Sequence, residues 1–323
     1  MRSELDVLKQ EFLEYLEIEK NRSPKTVSNY DYYLKRFFNE SGVKDCKDLT
    51  LQSVKKFRIY LNRIENPKNP NGMSKRTQNY HMIALRTFLK YLAKMDIECL
   101  AAEKIELGKE PDREVHFLEV DELLRMMEVP LHDHRGKVVE HPSLIQLRDK
   151  ALLELLFSTG LRVSEAANLK KEMVNLKNDE FTVRGKGGKL RVVFLSDAAR
   201  QWLAAYFKKR EDLSPYIFVS HDRAKKGREK NEQRTTGPLT PRSIERLVQK
   251  YAIAAGIVKK VTPHTMRHTY ATDLLQNGAD IRSVQAMLGH SSITTTQIYT
   301  HVTDKRLRET HKQFHDKKRK KSS

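Results

Sequence analysis

The sequence predicts a mainly α-helical protein with one small antiparallel β-sheet, divided into two domains. Three observations carry this expectation. Apolar residues recur at spacings of three and four through most of the chain, the period of a helix that buries one face. Phe181–Arg184 and Leu190–Leu195 alternate or run apolar as strands do, and Gly185-Lys186-Gly187-Gly188-Lys189 between them reads as a hairpin turn. Periodicity lapses over Ala101–Arg113, where Gly108, Pro111 and charge accumulate. That stretch reads as an exposed linker and places the domains at 1–108 and 109–323.

The first domain reads as four amphipathic helices. Leu5, Leu8, Phe12 and Leu16 set the first, over Leu5–Ile18. Ser23-Pro24 supplies an N-cap and a proline at the first helical position for the second, which holds Val27, Tyr30, Tyr33, Leu34, Phe37 and Phe38. Leu51–Ile64 is the third, closed by the breaker Asn66–Gly72. Ser74 caps the fourth, in which Tyr80, Ile83, Leu85, Phe88, Leu89 and Leu92 alternate with His81, Arg86 and Lys90. The aromatic residues are expected to pack the core of this bundle rather than to stack on bases.

In the second domain, Glu119–Glu128 reads as a short helix with Leu123, Leu124 and Met127 inward, and Pro130–Pro142 as a surface loop. His132, His134 and His141 of that loop have no cysteine beside them and nothing to orient them, so no metal site is expected. Leu144–Phe157 is a strongly apolar helix that ends at Ser158-Thr159-Gly160, and a new helix starts in Leu161-Arg162-Val163-Ser164-Glu165. Ile217-Phe218-Val219 reads as a third strand, His221–Pro238 as a polar, basic, mobile loop, and Ile244–Ala255 as a helix. The basic run His315–Lys321 is a tail.

Charge narrows the function. Sixty-one Lys and Arg stand against 42 Asp and Glu, a formal net charge of +19. Such an excess draws polyanions, because binding them releases condensed counterions, and it points to DNA or RNA. Cys46 and Cys99 are too few for a disulfide framework or a zinc ribbon and fit a reducing cytosol. MRSELDVLKQEF at the N-terminus has no apolar signal region, and no run approaches the length of a membrane span, so a cytoplasmic protein is expected.

The segment Thr262–Thr300 gathers chemistry: His264, Arg267, His290 and Tyr299. Breaking a phosphodiester without metal or nucleotide calls for a group that stabilises charge spread over the phosphoryl oxygens. Arginine does this with a planar fork that stays protonated. Arg162 and Arg267 are the candidates. A tyrosine phenol can form a covalent phosphoryl ester, but with a pKa near 10 it needs a base, and a histidine can serve. The leaving 5′-oxygen needs a proton, and Lys186 on a tight hairpin suits that task. His264 and His268 could be read as a zinc pair, but HTMRH lacks the Glu of HExxH. GKGGK lacks the spacing and trailing Ser/Thr of a Walker loop and precedes a strand.

Taken together, TGLRVSEAANL at 159–169, GKGGKLRVVFL at 185–195 and TPHTMRHTYATDLLQNGADIRSVQAMLGHSSITTTQIYTH at 262–301 resemble the tyrosine recombinase (phage-integrase) family, particularly its Xer-type bacterial and archaeal members. SPKTVSNYDYYLKRFF at 23–38 resembles the family's SAM-like core-binding domain. The loops at 129–143 and 221–237 exceed what a minimal member needs. The resemblance implies a helical core-binding domain joined to a catalytic domain in a C-shaped clamp around duplex DNA, and a site-specific recombinase that needs no cofactor and no metal. It implies that Tyr299 attacks the scissile phosphate to give a 3′-phosphotyrosine and a 5′-hydroxyl. Arg162 and Arg267 would clamp the non-bridging oxygens, and Lys186 would protonate the leaving oxygen. His264 would be the base or its hydrogen-bond relay, His290 would support phosphate binding, and Glu165 would support the site. Lys25, Lys75, Arg76, Arg86, Lys189 and Arg191 are the expected DNA contacts. The implied assembly is a tetramer on two sites, of one protein or of two related recombinases, with Asp304–His315 passing to a neighbour and with a translocase or accessory protein as a further partner. The implied location is the cytoplasm, at the nucleoid. A type IB topoisomerase and a DNA-binding accessory factor that does not cut are the competing readings.

Overall fold

The computed structural model describes residues 3–64, 72–110, 116–133, 135–185, 188–221 and 237–289. Its backbone forms two compact units, Met1–Arg113 and Glu114–Ser323. Among the described residues, no helix is long and apolar enough to cross a membrane.

The first unit consists of α1 (Glu4–Ile18), α2 (Pro24–Ser41), α3 (Leu51–Arg63) and α4 (Lys75–Lys94). Each begins where a hydroxyl can satisfy an orphan backbone N–H: Ser3, Ser23, Thr50 and Ser74 are the N-caps. Phe12, Phe37, Phe57 and Phe88 are fully buried, and Phe12 meets Phe88 edge-on at 5.4 Å between centroids. The aromatic residues named here are therefore core. The phase of α4 differs from the expected one. His81 is buried, with its ring 4.5 Å from that of Tyr33, while Tyr80 and Ile83 face outward.

The expected linker also differs. Ala102 and Ile105 are buried in this core. Asn79 exchanges hydrogen bonds with Gly108, donating to its carbonyl at 2.8 Å and accepting from its N–H at 2.9 Å. Arg76 pairs with Glu110 at 2.9 Å. Charge and glycine hid two apolar anchors, so residues 102–110 belong to the first unit rather than hanging free.

The second unit consists of α5 (Val120–Glu128), α6 (Leu144–Thr159), α7 (Val163–Ala167), the hairpin β1 (Glu180–Arg184) and β2 (Leu190–Phe194), α8 (Asp197–Lys209), α9 (Pro241–Ala254), α10 (Pro263–Gln276) and α11 (Ile281–Leu288). In α5 the inward residues are Leu123, Met126 and Met127, whereas Leu124 is exposed. Strands β1 and β2 pair antiparallel with Phe181 opposite Val193 and Val183 opposite Arg191. Among the described residues the sheet has two strands. Ile217, Phe218 and Val219 are fully buried but form no strand: Val219 makes an isolated bridge with Pro238, and the preceding Tyr216 makes one with Lys170. Helix α8 is absent from the sequence expectation, although Ser196 caps it and Ala199, Leu203 and Tyr206, at spacings of four and three, are its buried face. It packs on α6, whose leucines lie at the centre of the unit. The loop after α5 is partly core, since Pro130 and Leu131 are buried.

Candidate active site

Four segments of the second unit converge: the α6–α7 turn, strand β2, α10 and the end of α11. The turn is set first by backbone demands. Gly160 caps α6 at φ 57°, a left-handed conformation that a side chain disfavours. Space forbids a side chain as well, because a Cβ there would lie 2.5 Å from Cδ1 of Tyr270 and 3.2 Å from Cδ2 of Leu288. Leu161 is buried and anchors the chain, and Arg162 then opens α7. The backbone N–H of Arg162 donates to Oε2 of Glu165 at 2.8 Å, and its Nη1 donates to Oε1 at 2.9 Å. The motif TGLRVSE is thus a helix stop followed by a helix start, and the carboxylate that satisfies the new helix also holds the guanidinium.

Helix α10 starts at Thr262, whose Oγ1 accepts from the N–H of Thr265 at 3.2 Å, with Pro263 in the first turn. His264 is exposed on that turn. Arg267, three residues on, is only 4% exposed. Its Nη1 donates to the carbonyl of Gly160 and its Nη2 to the carbonyl of Leu288.

The C-terminal end of α11 is where the segments meet. Arg191 Nε donates to the carbonyl of Met287 at 3.1 Å, Arg267 Nη2 to that of Leu288, and Arg162 Nη2 to that of Gly289 at 3.1 Å. Three successive carbonyls at a helix end, which lack partners in the helix, therefore each accept from a different guanidinium. The negative end of the helix dipole favours cations there. Gly289 ends the helix at φ 64°.

The electrostatics follow. Glu165 accepts from Arg191 Nη1 at 2.9 Å and Nη2 at 2.7 Å in addition to Arg162. Burial raises its pKa, but hydrogen bonds from Arg191 and from Arg162 outweigh this and hold it at about 2. Although His264 is open to solvent, desolvation by the protein around it holds it below its ordinary value, followed by the charges of Arg267 and Arg162, with Glu245 acting the other way. His268, its ring 6.3 Å from that of His264, is lowered to about 4 by burial and by the charges of His264 and Arg267. Both imidazoles are therefore neutral at pH 7.

Of the residues singled out in the sequence, Arg162, Glu165, His264 and Arg267 come together. Lys186, His290 and Tyr299 lie outside the described residues, as do the 222–236 loop and the C-terminal segments. The described neighbours of Lys186 and His290 border the cluster: a Cβ on Gly185 would lie 3.2 Å from Arg191 Nη1 and 3.7 Å from Arg162 Nη1, and one on Gly289 would lie 2.8 Å from Arg191 Cδ. The expected surface cations divide. Lys25 and Lys189 are exposed, and Lys75 is exposed with its Nζ donating to Asn62 at 3.0 Å. Arg76 pairs with Glu110 at 2.9 Å, and Arg86 is half-buried. Arg191 departs from the expectation: it lies on the inner face of β2, in phase with Val193, and its guanidinium is bound to Glu165 and Met287 rather than presented to solvent.

Residues 116–306 match the phage integrase family, and residues 10–95 match the phage integrase N-terminal SAM-like domain. The chain is 38% identical over 305 residues to the tyrosine recombinase XerA of Pyrococcus horikoshii, covering 94% of this chain and 92% of that one. It is 34% identical over 323 residues to the tyrosine recombinase XerD of Staphylococcus aureus, covering 96% and 99%. Among solved structures, the XerA recombinase matches with a TM-score of 0.50 at 30% identity, covering 96% of this chain and 98% of that one. The XerH site-specific recombinase bound to its difH substrate matches in fold with a TM-score of 0.63 at 23% identity, covering 94% and 82%. The chain therefore belongs to the phage integrase family, the tyrosine recombinases, which cleave and rejoin DNA.

Proposed function

We propose that this chain carries out site-specific strand exchange between two duplex DNA sites, with Tyr299 as the nucleophile. The phenolic oxygen attacks phosphorus, the bond from phosphorus to the 5′-oxygen breaks, and the protein is left joined to the 3′-phosphate. Neutral His264 takes the phenol proton or relays it, and Lys186 gives the 5′-oxygen its proton. Arg162 and Arg267 hold the non-bridging oxygens, and His290 assists them. Attack of a new 5′-hydroxyl reverses the chemistry on a different strand. The ester conserves the bond energy, so no nucleotide is consumed.

The observation that carries this reading is the fixing of Arg162 and Arg267 on adjacent carbonyls, Gly289 and Leu288, with the lowered-pKa His264 beside them. Charge that need not reorganise during reaction is what a transition state rich in charge requires. The net charge of +19 supports DNA as the partner. We assign DNA binding to the first unit, through cations such as Lys25 and Lys75, and catalysis to the second. The working assembly is a tetramer, of this chain alone or with a second recombinase, acting at the nucleoid.

The test is covalent trapping. Genomic fragments nicked at random are incubated with the protein, denatured, and the protein-linked DNA is sequenced. Wild type yields a recurring short site, and Tyr299→Phe yields no adduct. Equal trapping by both removes Tyr299 from the role. Relaxation of arbitrary plasmids by dilute protein, with no recurring site and no strand exchange, makes the chain a topoisomerase instead.

A further inference from the structure

Arg191 stands one position from the end of β2 that faces the hairpin turn, and its side chain is 8% exposed. A buried guanidinium must be matched by acceptors or it destabilises its surroundings. Here three acceptors match it. The fork engages both oxygens of Glu165, at 2.9 and 2.7 Å, and Nε donates to the carbonyl of Met287 at 3.1 Å. Two glycines fit closely against it. A Cβ at Gly289 would lie 2.8 Å from Arg191 Cδ, and one at Gly185 would lie 3.2 Å from Nη1.

These contacts join three parts of the site. Through Glu165, Arg191 reaches Arg162, whose backbone N–H and Nη1 use the same carboxylate. Through Met287 and Gly289, it reaches the end of α11, the residue before His290. Through its own strand, it reaches the turn that contains Lys186. Arg162 touches the same three parts, and Arg191 differs from it in being rooted in the hairpin strand itself and in gripping both oxygens of Glu165 with its fork.

We infer that Arg191 is a positioning residue for strand cleavage, which locks the hairpin, the Glu165–Arg162 pair and the end of α11 in one register, and that it is not a DNA contact. This rests on the recombinase reading above. The lock acts on a step that tolerates little error, since misplacing reacting groups by about 1 Å can cost on the order of 10²-fold in rate.

The experiment uses the full chain and a suicide substrate carrying the site recovered by trapping. Wild-type trapping is established first: failure there refutes the recombinase reading and with it a positioning role in strand cleavage, whereas trapping by wild type isolates the Arg191 question. Arg191→Ala is then compared for affinity, salt dependence of affinity, and single-turnover cleavage at saturating protein. Expected are an affinity within about twofold of wild type, an unchanged salt slope, and cleavage slowed on the order of 10²-fold. Millimolar guanidinium restores part of that rate, and potassium chloride at the same ionic strength does not. Should Arg191→Ala fail to fold, Arg191→Lys retains the buried cation without the fork and is expected to show the same pattern at roughly tenfold. A salt slope reduced by about one unit, with cleavage at saturation unchanged, makes Arg191 a phosphate contact and overturns the inference. Cleavage at the wild-type rate in a folded variant overturns it equally.

Discussion

The two units differ in how much of their positive charge they bury. In the second unit, Arg148, Lys150, Arg191, Arg210 and Arg267 are almost wholly buried, and each is held by a carboxylate or by carbonyls: Arg148 by Asp149, Lys150 by Glu128 and Glu154, Arg191 by Glu165, Arg210 by Asp212, Arg267 by Gly160 and Leu288. In the first unit Lys9 alone among the cations in described ion pairs is buried, and Lys35, Lys90 and Lys94 are each more than half exposed. Under the function proposed above, the contrast separates what two kinds of phosphate contact need. Stabilising a transition state requires guanidinium groups fixed beforehand where water cannot screen them. Neutralising the outer phosphates of a duplex requires only reach and charge, and binding gains from the counterions released.

The sharpest way to break this comparison is to remove one buried guanidinium. Arg267→Ala leaves the carbonyls of Gly160 and Leu288 without their donor and takes a fixed positive charge from the site. Single-turnover cleavage is expected to fall by about 10³-fold, the cost of losing a principal stabiliser of transition-state charge, while DNA affinity changes only a few-fold. If affinity and cleavage fall together by the same factor, Arg267 serves ground-state binding and the contrast between the units dissolves.

Paired glycines provide a second comparison. Gly42 and Gly160 each cap a helix in the left-handed conformation, at φ 73° and 57°. A Cβ at Gly42 meets nothing within 4 Å, whereas one at Gly160 would collide with Tyr270 at 2.5 Å. Gly42→Ala is expected to cost about 1 kcal/mol, the strain of the conformation alone. Gly160→Ala is expected to cost about 3 kcal/mol, because ring displacement adds to that strain. Urea unfolding of the two variants measures the difference, and equal costs would show that the α6–α7 turn is no tighter than a surface cap.

Protonation gives a smaller effect. The folded-state pKa of His268 is about 4, below the ordinary 6.5. Below pH 6.5 the unfolded chain takes up a proton that the folded chain refuses. The stability due to this group is therefore complete above pH 6.5 and is lost as pH falls towards 4. His264 and, in the first unit, His81 are lowered by burial and act in the same direction. His268→Gln is expected to lessen the drop in unfolding free energy between pH 7 and pH 5 by on the order of 1 kcal/mol. An undiminished drop would mean that His268 titrates alike in both states.

What could be read in advance divides along the same line. Ser23-Pro24, Ser74 and Gly160 announce helix boundaries because capping is local chemistry, and the structure places the caps there. The catalytic candidates Arg162, His264 and Arg267 were legible because motif spacing is also local. The surroundings of these residues were not. That Glu165 holds Arg162 follows from a capping pattern three residues long, but that Arg191 holds Glu165 depends on a contact across 26 positions. One signal was present: in Leu190–Phe194, Arg191 shares the phase of buried Val193, and strand alternation turns both inward. Helix α8 likewise had its Ser196 cap and its Ala199, Leu203 and Tyr206 stripe. Ala102 and Ile105 had none, since two apolar residues among charges become core only when a bundle already exists to receive them.

The mildest test compares two cations of the first unit. Lys25 is exposed near the start of α2, and among the described residues no ion pair involves it, whereas Arg76 is held by Glu110 at 2.9 Å, with both side chains about a third exposed. If Lys25 lies on a DNA phosphate, Lys25→Ala lowers the slope of log affinity against log salt by about 0.9 and weakens binding severalfold at low salt. Arg76 already has an anionic partner, so moving it to a phosphate would first require breaking that pair, and Arg76→Ala should leave the slope within about 0.3 of wild type. Its effect belongs instead to the anchoring of residues 102–110, and should appear as a loss of no more than about 1 kcal/mol in unfolding free energy. The reverse pattern, a slope that responds to Arg76 and not to Lys25, would mean that the Glu110 pair opens on binding, and that exposure in the unbound chain does not mark the cations of this unit that meet DNA.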